Sequence, residues 1–355
     1  MKRKICFLIP GFSDGGAQKQ CILLLNELQR YEDLELTVVY FHAGVHDNLL
    51  VRDSLRVIQL PARGSNYDPR NILAVRAVLR EVRPDLLFTW LHSCDVYGFF
   101  LRRALPGMRW LMTERDSSYP NELRYRLRRL LGRFADGIVA NSEKGSDYWR
   151  QARARGQLFT VNNIVPVTTT LSDALQPARI VTVGRLEIQK NPYAVVQAFV
   201  SLARDHPEIA FAVIGAGAEE ASLKALVAKG GVANRIDFLG FRRDVPAQLR
   251  NARLAVSMSH HEGLPNVMLE SVAAGTLVVA SDIPEHRELF GDEYPFYVIE
   301  RTDPVCVARV IKAALSVWQN TGFLAHAQAR VEAMAPNKVG MRYREIFEDI
   351  LGERN

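Results

Sequence analysis

The chain is poor in cysteine. It has four in 355 residues, Cys6, Cys21, Cys94 and Cys306, and none is part of a C-x-x-C pair. That scatter excludes a disulfide framework and a thiolate zinc site, and it fits a reducing compartment. Long hydrophobic runs are missing too: no stretch of 18 apolar residues occurs, so nothing reads as a membrane-spanning helix. Behind the basic start Met-Lys-Arg-Lys the apolar run lasts only from Ile5 to Ile9, too short for the core of a secretion signal. The expectation is a cytoplasmic protein, at most peripheral to the inner face of the cytoplasmic membrane. The first strand is followed by Gly11-Phe12-Ser13-Asp14-Gly15-Gly16, which does not fit G-x-G-x-x-G and counts against a nucleotide-dependent oxidoreductase. Short repeats and low-complexity tracts are absent.

What remains is an ordinary globular composition, 48% hydrophobic and 24% charged with mean hydropathy −0.06. The length favours two domains over one core. The formal charge of +6 is uneven. Residues 1–166 hold 25 Lys and Arg against 17 Asp and Glu, a net +8, and residues 167–355 hold 20 against 22, a net −2. Much of the excess is Arg124, Arg126, Arg128, Arg129 and Arg133, with Arg102 and Arg103 upstream. These arginines alternate with Leu123, Leu127, Leu130 and Leu131, a basic amphipathic helix. It reads either as a packed surface helix with solvated arginines or as a face for an anionic leaflet or a lipid diphosphate. Only Tyr125 and Phe134 are interleaved with them, which argues against a nucleic-acid partner.

Short apolar runs alternate with helix-period segments. Ile5–Ile9, Leu36–Phe41, Asp85–Trp90, Trp110–Thr113 and Gly137–Ala140 read as strands of one sheet. Arg179–Val183, Ile209–Ile214, Ile236–Leu239, Leu254–Ser257 and Leu277–Ala280 repeat the rhythm. The fold class is α/β, with two Rossmann-like, doubly wound parallel sheets facing across a cleft. The domains are drawn at 1–166 and 167–338, with the polar segment 165–177 as linker. Residues 339–355 form a C-terminal helix whose apolar positions are Met341, Tyr343, Ile346, Phe347 and Ile350.

Two segments carry chemistry. The first is Ser259-His260-His261-Glu262-Gly263-Leu264-Pro265-Asn266-Val267-Met268-Leu269-Glu270. Pro265 stands where a helix can begin, so the N–H groups of Asn266 and Val267 would point out of its start as an anion site. Glu262 lies in the loop beside that anion and Glu270 within reach of vicinal hydroxyls, which a carboxylate accepts in pairs. The second is Gly184-Arg185-Leu186-Glu187-Ile188-Gln189-Lys190-Asn191-Pro192. A strand ends in glycine, and an arginine and a lysine five apart then suit a diphosphate. Taken singly, each segment also reads as an ordinary solvated loop or capped surface helix.

Together the two segments resemble the retaining nucleotide-sugar glycosyltransferases of family 4, which have the GT-B fold. The family's E-x7-E motif is matched by Glu262 and Glu270, and its phosphate clamp by Gly184-Arg185-Leu186 with Lys190-Asn191. Gly15-Gly16-Ala17-Gln18, Val139-Ala140-Asn141-Ser142, Asn162-Asn163-Ile164-Val165-Pro166, Ile214-Gly215-Ala216-Gly217 and Phe238-Leu239-Gly240-Phe241 follow in the expected order. The resemblance implies that Arg185 and Lys190 hold the donor diphosphate, that Glu270 binds the ribose and that Glu262 contacts the transferred sugar at the reacting centre. It implies backbone contacts from Gly263, Leu264, Pro265, Asn266 and Val267, close approach at Gly15 and Gly16, and Phe241 near the nucleobase. The expected reaction transfers a sugar from a nucleoside-diphosphate sugar, UDP favoured and GDP the alternative, to a lipid-linked, polysaccharide or lipopolysaccharide precursor. An anionic membrane is the further partner. Asp-x-Asp does not occur, and no metal or other cofactor is expected.

Departures from the family stand out. His92, at the end of a strand, is the expected orienting histidine, but the position two before it is Trp90 rather than His. After the next strand comes Thr113-Glu114-Arg115-Asp116, where relatives often carry a functional histidine. Asp282-Ile283-Pro284-Glu285-His286-Arg287-Glu288 replaces a Gly-Gly or Pro-Gly segment. A sugar-nucleotide epimerase on the same architecture is the rival reading, and a basic nucleic-acid- or membrane-binding non-enzyme a more distant one.

Overall fold

The computed structural model describes residues 2–13, 15–115, 119–166, 179–262 and 264–352. The chain divides into two compact units, Met1–Ile164 with Pro336–Asn355, and Val165–Ala335. The divisions fall at 164/165 and 335/336, whereas the sequence reading drew them at 166/167 and 338/339. Most of the expected linker lies outside the described residues.

The first unit is built on β1 (Arg3–Gly11), β2 (Leu34–His42), β3 (Leu55–Gln59), β4 (Leu86–Thr89), β5 (Arg109–Glu114), β6 (Gly137–Ala140) and β7 (Gln157–Thr160). All pair in parallel, in the order β3-β2-β1-β4-β5-β6-β7. Its helices are α1 (Gly16–Leu28), α2 (Pro69–Val82), α3 (His92–Leu101), α4 (Leu123–Gly132) and α5 (Glu143–Gln151). Alternate residues of β1 serve opposite faces: Ile5, Phe7 and Ile9 join one core and Cys6 and Leu8 the other. A sheet buried on both sides explains the near-continuous apolar runs.

The second unit contains β8 (Arg179–Val183), β9 (Ala210–Ile214), β10 (Ile236–Gly240), β11 (Leu254–Ser257), β12 (Leu277–Ser281) and β13 (Tyr297–Val298). They too are parallel, in the order β10-β9-β8-β11-β12-β13. Helices α6 (Pro192–Asp205), α7 (Glu220–Lys229), α8 (Val245–Arg250), α9 (Asn266–Ala273), α10 (Pro284–Phe290), α11 (Pro304–Leu315) and α12 (Ala325–Ala333) complete it. In each unit the strand order reverses beside the first strand, the place where doubly wound sheets bind ligands at the strands' carboxyl ends.

The last helix, α13 (Pro336–Leu351), belongs to the first unit. Tyr343, Ile346, Phe347 and Ile350 are buried as expected, but Met341 is exposed. Close approach to α1 is set by Gly340, whose added Cβ would lie 2.6 Å from Glu27 Cγ.

The basic helix departs most from expectation. Of its arginines Arg128 is buried, while Leu123, Leu127 and Leu130 are exposed. The polarity of α4 is therefore partly inverted, because Arg128 serves as the counter-ion of two buried carboxylates. Its Nε lies 2.7 Å from Asp95 Oδ2 and its NH1 2.8 Å from Glu114 Oε2.

Candidate active site

The two chemistry-bearing segments of the second unit meet, although they are 72 residues apart. Lys190 Nζ lies 2.5 Å from Glu262 Oε1. Beside it, His260 N–H donates to Gln189 O at 2.9 Å, and Gln189 Nε2 donates to His261 O at 3.1 Å. The parallel pairing of β8 and β11 brings the loops after them side by side, which is why residues so distant in sequence touch. Glycine makes the neighbouring floor. Gly215 has φ +132°, and a Cβ there would sit 1.9 Å from Gly184 O, so no other residue fits.

Glu262 is buried and its Oε1 takes two donors, Lys190 Nζ and, at 2.6 Å, Ser259 Oγ. Among the described residues Oε2 has no hydrogen-bond partner. Arg185 is exposed and bound to its own loop, 2.8 Å from Glu187 and 3.3 Å from Gln189 Oε1. A diphosphate at this loop would have to draw both cations from carboxylates.

At α9 the structure corrects the expected helix start. Pro265 is the capping residue and Asn266 the first helical one. Asn266 N–H is not open, since it donates to Leu264 O at 2.9 Å. Leu264 and Val267 turn their side chains onto the core of the unit. Glu270 lies within α9, partly buried, and Phe241 follows β10 with its ring half exposed. Gly263 lies outside the described residues.

In the first unit a cavity of about 530 Å³ opens at the carboxyl ends of β1, β2 and β4, lined among others by His42, Asn66, Tyr67, His92 and Arg124. The turn into it is strained: Leu91 has φ +73°, a region an L-leucine rarely occupies. That turn sets His92 at the start of α3, edge-on to Tyr119 and Tyr125 with ring centroids 5.1 and 4.9 Å away. Its Nε2 is buried without a hydrogen-bond partner. Burial, reinforced by the charges of Arg128 and Arg124, pushes the imidazole down to about 3. His92 is thus neutral at physiological pH and offers a hydrogen bond rather than a charge. Gly15 and Gly16 stand at the start of α1, with Gly15 as its capping residue.

The departures from the family pattern have structural roles. Trp90 Nε1 donates to Ala17 O at 2.9 Å and so holds the first turn of α1. The Arg115 guanidinium lies 4.1 Å over the Trp90 ring and donates to Asn163 Oδ1 and Tyr343 OH. Glu114 is fully buried and accepts from Arg128, Tyr119 and, at 2.7 Å, Trp149 Nε1. Glu114 is consumed by the core and takes no place of a catalytic histidine. Sequence reasoning gave no role to Ser259 and Gln189, which stand inside its two segments, and did not reach Ser281; single serines and glutamines carry no periodicity or spacing signal. Among the described residues no helix is long and apolar enough to cross a membrane, and no three His, Cys, Asp or Glu side chains gather as a metal site would require.

Two doubly wound parallel sheets, with a Lys–Glu pair at the strand ends of the second, have the architecture of GT-B glycosyltransferases. Among solved structures, HepE of Anabaena in complex with UDP and glucose superposes with a TM-score of 0.82 at 19% identity, covering 98% of this chain and 99% of that one. Sucrose-phosphate synthase of Thermosynechococcus elongatus gives a TM-score of 0.80 at 17% identity, covering 98% and 99%. Residues 14–168 match Glycosyltransferase Family 4, and residues 172–322 match Glycosyl transferases group 1. The chain is a glycosyltransferase of family 4. A similar curated protein is the GalNAc-alpha-(1->4)-GalNAc-alpha-(1->3)-diNAcBac-PP-undecaprenol alpha-1,4-N-acetyl-D-galactosaminyltransferase of Campylobacter jejuni, 23% identical over 324 residues, 88% of this chain and 89% of that one. Another is the lipopolysaccharide core biosynthesis glycosyltransferase LpsE of Rhizobium meliloti, 27% identical over 287 residues, 76% of each.

Proposed function

We propose that this enzyme transfers a sugar, with retention and without a metal, from a UDP-sugar to a lipid-linked or lipopolysaccharide precursor. The observation that carries the reading is the Lys190–Glu262–Ser259 cluster at the strand ends of the second unit. The anomeric carbon–oxygen bond to the diphosphate breaks, negative charge grows on the leaving phosphate, and the acceptor hydroxyl oxygen bonds the anomeric carbon as its proton passes to that phosphate. Lys190 moves from Glu262 to that charge, with Arg185 as the second cation. Glu262 then presents its open Oε2 to the sugar at the reacting centre, and Glu270 binds the ribose hydroxyls. The turn from Leu264 to Val267 at the start of α9 borders the phosphates, with Val267 N–H as the donor in place of the spent Asn266 N–H, and Phe241 lies by the base. Gly15 and Gly16 allow close backbone approach, and His92 orients a sugar by a hydrogen bond. UDP is the donor nucleotide of choice because several of the structural relatives were solved with UDP. Lipid-linked acceptors follow the names of the curated relatives.

A thermal-shift panel of UDP-, GDP-, ADP- and TDP-sugars in EDTA tests the donor. A ligand at a hundredfold excess over its Kd stabilises by about 2.7 kcal/mol, and about 2–4 °C of Tm per kcal/mol is expected for units of this size. UDP-sugars are expected to give the largest shift, unchanged by chelator. A response to GDP-sugars alone overturns the nucleotide assignment. A shift or activity lost in EDTA and restored by added metal overturns metal independence.

The acceptor side of the reading is the exposed face of α4. Leu123, Leu127 and Leu130 face solvent together with Arg124 and Arg126. Leucines that insert, flanked by arginines worth about 1 kcal/mol each near an anionic surface, describe a peripheral membrane contact. The enzyme is expected to float with phosphatidylglycerol vesicles and not with phosphatidylcholine ones. The Leu123→Ser, Leu127→Ser, Leu130→Ser triple variant should bind at least about tenfold more weakly, since each buried leucine contributes about 1.5–3 kcal/mol. Equal flotation of variant and wild type would sink this face as the contact.

A further inference from the structure

We infer that His286 is a positioning residue for Glu262, acting through Ser281 and Ser259. The inference rests on the proposed role of Glu262. His286, Ser281 and Ser259 are fully buried and Glu262 nearly so. His286 Nδ1 lies 2.9 Å from Ser281 O and 3.3 Å from Ser281 Oγ. A backbone carbonyl only accepts, so Nδ1 carries the proton and the ring is the Nδ1–H tautomer. Burial holds that imidazole neutral. Ser281 Oγ spends its own proton across the gap to the next loop, donating to Ser259 O at 2.8 Å. Ser259 Oγ then donates to Glu262 Oε1 at 2.6 Å.

The order of these bonds gives His286 its role. A serine hydroxyl at a strand end readily turns to a nearby backbone carbonyl. Here His286 Nδ1–H faces both Ser281 O, which also accepts Ile283 N–H at 3.0 Å, and Ser281 Oγ, and with that donor against the oxygen the hydroxyl proton points to Ser259 O. The segment from Met258 to Leu264 has no helix or strand hydrogen bonds of its own among the described residues. Two side chains hold its carbonyls, Gln189 Nε2 at His261 O and Ser281 Oγ of β12 at Ser259 O, and His286 at the start of α10 directs the second. Held this way, Glu262 Oε1 receives both Ser259 and Lys190, and Oε2 is the oxygen kept for the sugar.

His286→Ala and Ser281→Ala are each expected to lower kcat about ten- to a hundredfold, the cost of a reacting group misplaced by a fraction of an ångström to one ångström, with donor KM and UDP affinity unchanged. The double variant should be no worse than either single one, since both remove the same clamp. His286→Asn, whose amide N–H can replace Nδ1–H, should restore most of kcat. Ser259→Ala, which removes only the last bond, should copy the kcat loss while keeping the wild-type Tm more closely. Glu262→Gln is measured in the same assay. Full kcat in His286→Ala, additive losses in the double variant, or a His286→Asn no better than His286→Ala overturns the inference while Glu262→Gln is inactive. Full activity of Glu262→Gln overturns the role of Glu262 itself, and the relay with it.

Discussion

Lys190→Ala should lower kcat by about 10²–10³, the usual cost of removing one donor aimed at charge that develops in the transition state. The effect belongs in kcat because Lys190 is already committed in the free enzyme. Its Nζ is paired with Glu262 Oε1 at 2.5 Å, so binding the ground-state diphosphate exchanges one anionic partner for another with little net gain. As the sugar–phosphate bond breaks, the leaving oxygen gains charge that Glu262 does not, and the ammonium then favours the phosphate. Single-turnover donor hydrolysis or transfer, with UDP affinity measured alongside, separates the two possibilities. A tenfold rise in KM at constant kcat would make Lys190 a ground-state ligand only and defeat the assignment. The variant leaves Glu262 with Ser259 as partner, so its Tm must be followed to keep folding losses apart from catalytic ones.

Arg128→Met should destabilise the protein by about 3–5 kcal/mol, because the substitution leaves two buried carboxylates without their cation. The network around Arg128 is dense. Asp95 Oδ1 accepts from Thr89 Oγ1 at 2.7 Å, and Trp110 Nε1 donates to Thr89 Oγ1 at 3.0 Å. Arg128 NH2 also donates to Thr113 O at 2.8 Å, so one side chain joins α4 to β5 and α3. One guanidinium does not fully offset the desolvation of two carboxylates. Burial accordingly pushes the Asp95 carboxyl up to about 7, against the pull of Arg128. A raised folded-state pKa means the folded protein holds that proton more tightly than the unfolded chain. The contribution of Asp95 is then complete below its ordinary value near 4 and is lost as pH climbs from there through about 7. Thermal unfolding of wild type minus Asp95→Asn, measured from pH 4.5 to 8, should show that loss as a falling difference. A flat difference would mean that Arg128 keeps Asp95 ionised. Adding Asp95→Asn to Arg128→Met should recover part of its stability, since one uncompensated charge disappears.

These two sites differ in how far the sequence announces them. Lys190 and Glu262 sit in local patterns, a glycine-ended strand before Arg185 and a turn before a helix. Residue type and spacing within a dozen positions made them candidates, and the resemblance of the two segments together to family 4 marked them. Arg128 sits in a run of arginines and leucines that has no local signature of burial. Its place was decided by Asp95 on α3 and Glu114 on β5, and three leucines that a packed surface helix would have turned inside face solvent, as the leaflet reading had them. The strands divide in the same way. β6, β8 and β11 coincide with the predicted spans and the other inner strands fall within two residues of theirs, because a strand paired on both sides carries a continuous apolar run. β3, β7 and β13 went unread, since these edge and outer strands are short or half exposed and lack a continuous apolar run.

The sequence by itself determined the class of this protein. Apolar runs at regular intervals, glycines at strand ends and two charged motifs in the right order are local properties, and each survives without knowledge of what packs against it. Only the tertiary structure decided which charges meet. It paired Lys190 with Glu262 across 72 residues, buried Arg128, spent Glu114 and Arg115 on the core, and set His286 behind Ser281 and Ser259. The reason is that a buried charge or hydroxyl takes its partner from whatever strand or helix the sheet order brings beside it. Parallel pairing makes such partners distant in the chain, beyond the reach of any local pattern.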